Sequence, residues 1–504
     1  MAVNPAMETA PAQPTPEQLQ SVWNTLKSPR RLKTEVLGGL VVGLALIPEA
    51  IAFSVIAGVD PRVGLFAAFT MAVTIAFTGG RPAMISAATG AVALVIAPLV
   101  KTHGVDYLIA CVILAGIFQI LLAVSGVAKL MRFIPRSVMV GFVNALAILV
   151  FLAQLPELIG VPWLVYPLVI GALLIMFVLP RFTQVVPAPL VAIVVLTLVT
   201  VLAAVAVPTV GDKGQLPDSL PTWIIPPVPL TFETLRIIFP FALAMAFVGL
   251  LESLMTAKLV DDITDTRSNK TREAWGQGVA NIVTGFFGGM GGCAMIGQTM
   301  INVRASGART RISTFSAGVF LLLLVVVLGD VVSVIPMAAL VAVMIFVCWA
   351  TFDWHSIHPR TLKALPKSET FVMVVTVIAT VTTNNLAIGV GAGTVLAMIM
   401  FARRVAHFVT VERTVGEDSV TYTVNGELFF ASSNDLYTQF EYALDPVRVI
   451  IDMSQSHLWD VSTSATLDAI TDKYRRNGKH VVIRGLNEAS TQMRSRLAGK
   501  LGGS

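Results

Sequence analysis

The sequence is poor in two residue classes, cysteine and charged residues. Only three cysteines occur among 504 residues, Cys111, Cys293 and Cys348, and each lies in or beside an apolar run. Their placement predicts neither a disulfide framework nor a cysteine-bound metal. Charged residues make up 13% of the chain, against about 25% in a typical soluble domain. The scarcity of charge therefore argues against a soluble protein.

Features of several other protein classes are also missing. The opening residues are proline-rich and polar, without the charged–apolar–small pattern of a secretory signal, and we predict a disordered cytoplasmic tail over residues 1–30. No nucleophile–base or metal-ligand constellation is visible, so we predict no enzyme, cofactor or metal site. The formal charge of +5 is spread over short loops rather than gathered in one basic patch. This distribution argues against a nucleic-acid partner.

Apolar residues, by contrast, make up 55% of the chain, and the mean hydropathy is +0.79. They form runs separated by short polar connections, which is typical of a multi-spanning α-helical membrane protein. A polar, proline-rich connection (PTVGDKGQLPDSLPTWIIPPVPLTFE) divides the runs into two sets of seven. We therefore predict fourteen transmembrane segments in the lipid bilayer, at residues 37–57, 63–78, 84–99, 108–126, 135–153, 163–180, 188–207, 237–257, 275–289, 293–303, 312–328, 334–351, 370–383 and 386–402.

The loop charges predict an orientation. If the amino terminus is cytoplasmic, twenty Lys and Arg residues fall in inside loops. Only four fall outside, namely Arg62, Lys101, Lys213 and Arg236. Positive residues accumulate on the cytoplasmic side of a membrane. We therefore predict a multi-pass protein of the cell inner membrane with both termini in the cytoplasm.

Two interruptions stand at matching places in the two sets of runs. GFFGGMGGCAMIGQ (285–298) has six glycines and precedes the third segment of the second set, and TGGRPAMISAATGA (78–91) occupies the same place in the first. Paired interruptions of this kind indicate inverted repeats whose broken helices meet at the bilayer midplane. Half-helices starting near Thr89 and Ala294 would direct their positive amino-terminal ends at one point, which predicts an anion site. The alternative is that the glycines only permit close helix packing.

From about Phe408 the pattern changes. Short apolar runs such as VRVIIDMS and KHVVIRG alternate with amphipathic stretches such as DVSTSATLDAITDKYRRNG. This alternation predicts a small α/β domain of about 90 residues in the cytoplasm.

Three stretches resemble one family. GLVVGLALIPEAIAFSVIAGVDPRVGLFAAF (39–69) and GQGVANIVTGFFGGMGGCAMIGQTMINVRASGARTRIS (276–313) resemble the SulP family of anion transporters, which are sulfate permease-like, and IIDMSQSHLWDVSTSATLDAI (450–470) resembles a STAS domain. The resemblance implies 7+7 inverted repeats divided into core and gate, with half-helices 3 and 10, elevator-like alternating access and a homodimer. The implied domains are a transporter over 31–407, with repeats at about 31–207 and 232–407, and a STAS domain over 408–504.

The resemblance also implies a substrate site. At one position the family commonly has glutamine where this chain has Glu49, and a carboxylate there would repel an anion unless it were protonated or pointed away. The alternative is a carboxylate satisfied by neighbouring helices. The residues that match the family's anion pocket are Glu49, Phe53, Thr89, Gly90, Ala91, Ala294, Met295 and Ile296.

Glu252 is the second acid inside an apolar run. An intramembrane charge costs about 2.5–3.5 kcal/mol on the insertion scale, so it is a candidate functional residue. In the family, proton-coupled members tend to have glutamate here, whereas a sodium-coupled bicarbonate type has aspartate with a threonine four residues on. This chain keeps that threonine, Thr256, on the same helical face. We predict that Glu252 couples transport to protons, with sodium coupling through Glu252 and Thr256, or a structural role, as alternatives.

The resulting hypothesis is a secondary active transporter of a small inorganic or organic anion, of the dicarboxylate, bicarbonate or sulfate class, that works as a proton symporter. An uncoupled anion exchanger or channel and a sodium-coupled bicarbonate symporter are alternatives. A sensor that signals through the STAS domain is a third possibility, but it would need neither broken helices nor an intramembrane acid.

Overall fold

The computed structural model describes residues 21–126, 134–182, 187–406 and 409–497. The chain divides between Gly393 and Thr394 into two compact units, which are described separately. The predicted disorder of residues 1–20 lies outside the described part. In the rest of that tail, Val22–Leu26 is helical, with the Ser21 side chain accepting from the backbone N–H of Asn24. The prediction of disorder up to residue 30 is therefore wrong for this short helix.

Where the structure describes the first half of the larger unit, its regular elements are helices and one very short strand. Helix α4 is kinked at Gly104, whose φ of 81° is non-helical, so it supplies two separate segments. The elements are α1 (Val22–Leu26), α2 (Pro29–Ala57), α3 (Pro61–Thr78), β1 (Ser86–Ala87), α4 (Gly90–Val124), α5 (Arg136–Gln154), α6 (Val165–Val178) and α7 (Ala188–Leu202).

The second half also consists of helices with one very short strand among them. A strand again precedes a helix, and α10 continues as a π-helical turn over Ile301–Ala305. The elements are α8 (Phe232–Thr264), α9 (Lys270–Phe286), β2 (Cys293–Ala294), α10 (Ile296–Met300), α11 (Arg311–Val327), α12 (Gly329–Ser333), α13 (Met337–Thr351), α14 (Pro359–Ala364), α15 (Lys367–Thr383) and α16 (Leu386–Ala406).

Helical residues overlap each of the fourteen predicted spans. Among the described residues, six helices are long and apolar enough to cross a membrane, and four further apolar helices are shorter. The first helix begins earlier than predicted, at Pro29 rather than 37, whereas at the third and tenth spans the helices begin later, at Gly90 and Ile296 rather than at 84 and 293. The residues just before these helices are extended because β1 and β2 pair with each other.

Glycines bring the helices of this unit into close contact. A Cβ on Gly116 of α4 would lie 2.5 Å from the carbonyl oxygen of Gly278 in α9, and a Cβ on Gly278 would lie 2.6 Å from that of Gly116. No side chain fits at such a distance. Reciprocal glycines therefore set how closely α4 and α9 approach, as small residues do in membrane helix packing.

The smaller unit contains a four-stranded sheet in the order β3-β4-β5-β6, with β3–β4 antiparallel and the other pairs parallel. Its core comes from inward-facing strand residues such as Val449, Ile451 and Met453 and from Leu467 and Ile470 of a helix. This arrangement confirms the predicted α/β domain. The elements are β3 (Thr410–Val415), β4 (Ser419–Leu428), α17 (Phe430–Thr438), β5 (Arg448–Leu458), α18 (Val461–Arg476), β6 (His480–Arg484) and α19 (Glu488–Leu497).

A buried carboxylate joins three elements of this unit. The side chain of Asp445 is fully buried. It accepts hydrogen bonds from the hydroxyls of Tyr422 and Tyr474, at 2.7 and 2.5 Å, and from Arg413 Nη2 at 2.7 Å. Burial would raise the pKa of Asp445, but the hydrogen bonds from Tyr474, Tyr422 and Arg413 outweigh it, so the pKa lies below its usual value.

Asp445→Asn is therefore expected to destabilise the smaller unit by about 1.5–3 kcal/mol, the range for hydrogen bonds to a charged group. The stabilisation from a lowered pKa is complete above the unfolded-state value of about 3.9 and is lost as the pH falls through the lower folded-state value. Amide hydrogen exchange of β4 and α18 in the full-length protein measures the effect. The matched control is Asp452→Asn, because Asp452 pairs with the exposed Arg484. Equal effects of the two substitutions would contradict the prediction.

Candidate anion-binding site

The two interrupted segments meet in a short antiparallel ladder. Ser86 pairs with Ala294, and Ala87 pairs with Cys293. The ladder joins residues about two hundred positions apart, one strand from each half of the larger unit. Gly292 precedes β2 at the point of closest approach, where an added Cβ would lie 1.9 Å from the carbonyl oxygen of Ala87. The glycine-rich stretch therefore has a local reason: one backbone crosses directly against another.

The non-helical backbone before β1, which includes the left-handed Ala83 (φ 61°), is held by buried polar side chains. Glu273 Oε2 accepts from the N–H groups of Gly80 and Arg81, at 2.7 and 2.9 Å. Asn302 donates to the Ala83 carbonyl at 2.8 Å, and Thr314 donates to that of Met84 at 3.1 Å. Buried non-helical backbone is costly unless it is hydrogen-bonded. These side chains make the interruption tolerable.

The glycine-rich segment is held in the same way. Asn281 is fully buried, accepts from the Gly292 N–H at 2.9 Å and donates to the Gly292 carbonyl at 3.1 Å. The N–H of Ala294 donates to Ser253 Oγ at 3.0 Å. Because this N–H is already bonded, Ala294 does not offer it to a ligand. The first unbonded N–H groups of the second half-helix come later, at its first turn.

The helix that follows β1 has a side-chain cap. Thr89 is the N-cap of α4, and its hydroxyl accepts from the N–H of Val92 at 3.3 Å. Met295 is the N-cap of α10 and has no side-chain cap hydrogen bond. The first N–H groups of a helix have no partner within it and carry partial positive charge. Those of Gly90 and Ile296 belong to residues that line one cavity.

That cavity has a volume of about 1060 Å³ and is bounded by α2, α4, α5, α7, α8, α10 and α13. Along α2 its lining extends from Phe53 to Thr34. None of the described residues that line it is Lys, Arg or His. Ala91, Ala294 and Thr256 are fully buried and do not line it. The predicted site residues that do line it are Glu49, Phe53, Thr89, Gly90, Glu252, Met295 and Ile296.

Among the described residues, two carboxyl groups reach the cavity, and each has one hydrogen-bond donor. Glu49 is 8% exposed and its Oε1 accepts from Gln298 Nε2 at 2.7 Å. Glu252 is 7% exposed and its Oε2 accepts from the thiol of Cys293 at 2.9 Å. Both donors are neutral. An ionised carboxylate at either position is therefore not balanced by a contacting cation, and it disfavours a second anion nearby.

Thr256 lies one turn after Glu252 on α8 but does not line the cavity. Its hydroxyl donates to the backbone carbonyl of Glu252 at 2.8 Å and approaches that of Ala294 at 3.5 Å. The sequence placed Thr256 on the same helical face as Glu252, but of the two only Glu252 lines the cavity.

Sequence reasoning missed Cys293 and Ser253. Cys293 contacts the hydroxyl of Thr89 at 3.1 Å as well as Glu252, and Ser253 fixes the backbone beside it. A signal was present for both residues. Cys293 lies inside the predicted interruption, and Ser253 adjoins the intramembrane acid.

Family comparison agrees with this architecture. Residues 32–166 and 162–376 match the Sulfate permease family, and residues 410–499 match the STAS domain. The "Putative sulfate transporter YbaR" of Bacillus subtilis (strain 168) is 53% identical over 467 residues, covering 93% of this chain and 97% of the relative. The "Bicarbonate transporter BicA" of Picosynechococcus sp. is 27% identical over 413 residues, covering 75% and 71%.

Two solved structures have a similar fold. The murine Solute Carrier 26 family member A9 anion transporter, in an inward-facing state, has a TM-score of 0.78 at 15% identity and covers 92% of this chain and 87% of that one. The transmembrane domain of a cyanobacterium bicarbonate transporter BicA has a TM-score of 0.64 at 24% identity and covers 71% and 98%. The fold is thus that of a multi-pass helical membrane protein followed by an α/β domain. Together with the sequence matches, these similarities establish that the chain belongs to the sulfate permease family, a family of anion transporters rather than enzymes, and ends in a STAS domain.

Proposed function

We propose that the chain is a secondary active transporter that carries a small anion together with a proton. The observation that carries the proposal is a single cavity in which two helix amino termini converge beside two buried carboxyl groups. The helix ends supply N–H donors and partial positive charge for an anion. The carboxyl groups supply a place for the proton.

The electrostatics of the cavity favour joint binding. With Glu252 ionised, its charge opposes an anion at the helix ends, and a thiol is its only donor among the described residues. A proton on Glu252 removes this repulsion. By linkage, a proton that strengthens anion binding is itself bound more tightly when the anion is present. Glu252 is therefore the proposed coupling residue, and Glu49 is a second proton-accepting group in the same cavity.

Sodium is the less favoured coupling ion. A sodium site needs several oxygen ligands, and the hydroxyl of Thr256, which does not line the cavity, is engaged with the backbone carbonyls of Glu252 and Ala294. Uncoupled exchange or channel-like conduction is the outcome expected if a proton gradient drives no accumulation.

The substrate belongs to the class of sulfate, bicarbonate and small dicarboxylates. The names of the relatives point to sulfate and bicarbonate. The absence of Lys, Arg and His from the described lining means that backbone N–H groups and neutral side chains would bind the anion. A dianion beside two carboxyl groups would then need accompanying protons.

The working cycle proposed here follows the family resemblance. Two inverted repeats, at about 31–207 and 232–407, form a core and a gate, and elevator-like movement of the core exposes the cavity to each side in turn. The lining extends along α2 to Thr34, close to the amino-terminal end of that helix. By the positive-inside rule this end is cytoplasmic, so we propose an inward-open state and a cytoplasmic STAS domain over 408–504. The homodimer is proposed from the family resemblance alone.

Uptake into proteoliposomes tests the function. Labelled sulfate, bicarbonate, chloride and succinate are offered with and without an inward proton gradient, with the membrane potential clamped. We expect one of these anions to accumulate only when the gradient is present. Equal uptake with and without the gradient would replace symport by exchange or conduction. Accumulation driven by a sodium gradient alone would replace the proton by sodium.

The orientation is tested separately with a membrane-impermeant maleimide. Ser219→Cys, in the exposed connection before α8, is expected to react in intact cells, whereas Ser28→Cys is expected to react only after permeabilisation. The unsubstituted protein is the blank, because its three cysteines are buried. Labelling of Ser28→Cys in intact cells would reverse the proposed topology.

A further inference from the structure

A short series of hydrogen-bonding groups connects the proposed coupling residue, Glu252, to the amino-terminal end of the half-helix that begins α4. Glu252 Oε2 lies 2.9 Å from Cys293 Sγ, and Cys293 Sγ lies 3.1 Å from Thr89 Oγ1. Cys293 is fully buried and does not line the cavity, whereas Glu252 and Thr89 both do. The buried thiol therefore connects two groups that line the cavity without lining it itself.

The hydrogen atoms of this series can be assigned for ionised Glu252. A carboxylate only accepts, so the single thiol hydrogen of Cys293 points to Glu252. The contact between Thr89 and Cys293 must then be made by the hydroxyl hydrogen of Thr89, which points to sulfur. The same hydroxyl oxygen accepts from the N–H of Val92. In this state Thr89 has no hydrogen to offer a ligand in the cavity.

Protonation of Glu252 reverses each of these bonds. The carboxyl O–H donates to Cys293 Sγ, and the thiol hydrogen then turns to Thr89 Oγ1. The hydroxyl hydrogen of Thr89 is released toward the cavity, next to the N–H groups of Gly90 and Ala91. No covalent bond changes apart from the one that holds the added proton.

We propose that Cys293 is a positioning residue that relays the protonation of Glu252 to Thr89 and so converts the Thr89 hydroxyl into a donor for the transported anion. The inference rests on the proposed function, because it assigns how the coupling proton and the anion favour each other's binding. Protonation of Glu252 would then favour the anion in two ways. It removes the negative charge of Glu252, and it gives the anion one more hydrogen bond, from the Thr89 hydroxyl.

The other titratable groups around Glu252 are few among the described residues. Glu49 of α2 lines the same cavity and contacts Gln298 rather than the relay. Cys111 of α4 lies against the Ile238 carbonyl, almost four turns earlier on α8. On α9, Lys270 bonds to Asp261, Arg272 donates to carbonyls at the end of α3, and Glu273 accepts from the segment before β1. Glu49 is therefore the group whose titration has to be separated from that of Glu252.

A spectroscopic titration of the full-length protein provides a readout that needs no substrate. Infrared difference spectra report the carboxyl C=O band of protonated Glu252 and the S–H band of Cys293, assigned by their loss in Glu252→Gln and Cys293→Ala. We expect the two bands to change together with pH in the wild type. In Glu252→Gln the S–H band is expected not to respond to pH, and Glu49→Gln is expected to leave the paired response in place. An S–H band that ignores pH in the wild type would overturn the relay.

Anion affinity supplies the functional readout, with the anion that the uptake panel identifies as the probe. In the wild type, affinity is expected to rise as the pH falls. In Cys293→Ala, the ratio of the anion affinity at low pH to that at high pH is expected to fall about fivefold. The reason is that one hydrogen bond to the anion contributes about 1 kcal/mol. Cys293→Ser is expected to restore this ratio, because a hydroxyl also donates and accepts. The matched control is Cys111→Ala, because Cys111 is also a buried cysteine but is not hydrogen-bonded to Glu252 or Thr89.

The two proposals fail in different ways. If Cys293→Ala keeps the full pH dependence while Glu252→Gln abolishes proton-driven uptake, the relay is wrong and the proposed function stands. If Glu252→Gln still accumulates the anion under a proton gradient, the assignment of the coupling residue fails, and the relay falls with it.

Discussion

Replacement of Glu252 by Gln is expected to abolish accumulation driven by a pH gradient while leaving anion binding in place. One pH unit stores about 1.4 kcal/mol per proton, which can sustain roughly tenfold accumulation for one-to-one coupling. Glutamine keeps the shape of a protonated glutamate but cannot release the proton. The accumulation ratio in proteoliposomes with a clamped potential should therefore fall from about tenfold to about one.

Exchange of labelled for unlabelled anion should persist in this variant, because exchange requires no net proton movement and the helix ends are unchanged. The matched control is Glu233→Gln, since Glu233 is an exposed acid in the first turn of the same helix. It should keep the wild-type accumulation ratio. If Glu252→Gln concentrates the anion under a pH gradient alone, Glu49 becomes the candidate coupling residue. The Glu49→Gln variant then decides between the two acids.

Substitution of Gly292 by Val is expected to reduce anion binding at least about 100-fold, equivalent to about 2.8 kcal/mol. A Cβ at this position would lie 1.9 Å from the Ala87 carbonyl oxygen and 2.6 Å from its carbon. Both atoms are backbone, so the strain can be relieved only by moving β1 away from β2. That movement separates the amino-terminal ends of the two half-helices, which the proposed site requires to be adjacent.

Because Val has two further carbons, Gly292→Ala is measured beside it and should show a smaller loss in the same direction. Gly171→Val is the control, since a Cβ there meets nothing within 4 Å. Anion binding is measured on detergent-purified protein whose melting transition is recorded in parallel. Wild-type affinity in both Gly292 variants would disprove this account of the site. A melting transition lost together with binding in Gly292→Ala would support the alternative that the glycines only permit packing.

The two acids illustrate how far prediction from sequence could go. Glu49 and Glu252 were identifiable because an acid within an apolar run is rare and costly. Their partners were not identifiable: Gln298 lies 249 positions from Glu49, and Cys293 lies 41 positions from Glu252. The sequence left open whether the carboxyl group of Glu49 is satisfied by a neighbouring helix. The Gln298 amide is such a partner for one of its two oxygens.

The half-helix starts show the same division. Thr89 was predicted near a helix start, and it is the N-cap, because a threonine before a glycine and an apolar run is a local signal. The second start was placed near Ala294 but lies at Ile296. Ala294 is held in β2 by its pairing with Ser86. Strand pairing between the two halves is a long-range contact, and no property of the residues around Ala294 reveals it.

The sequence by itself determined the class of the molecule: the apolar runs, the two interruptions and the α/β tail. These features depend on local composition and periodicity, which the bilayer and the backbone constrain residue by residue. Only the tertiary structure decided which buried polar groups meet. It joined Thr89, Cys293 and Glu252 in one series of hydrogen bonds and left Thr256 outside the cavity lining. The physical reason is that a buried polar group must find a partner wherever the packed helices provide one, and that position is a property of the whole fold.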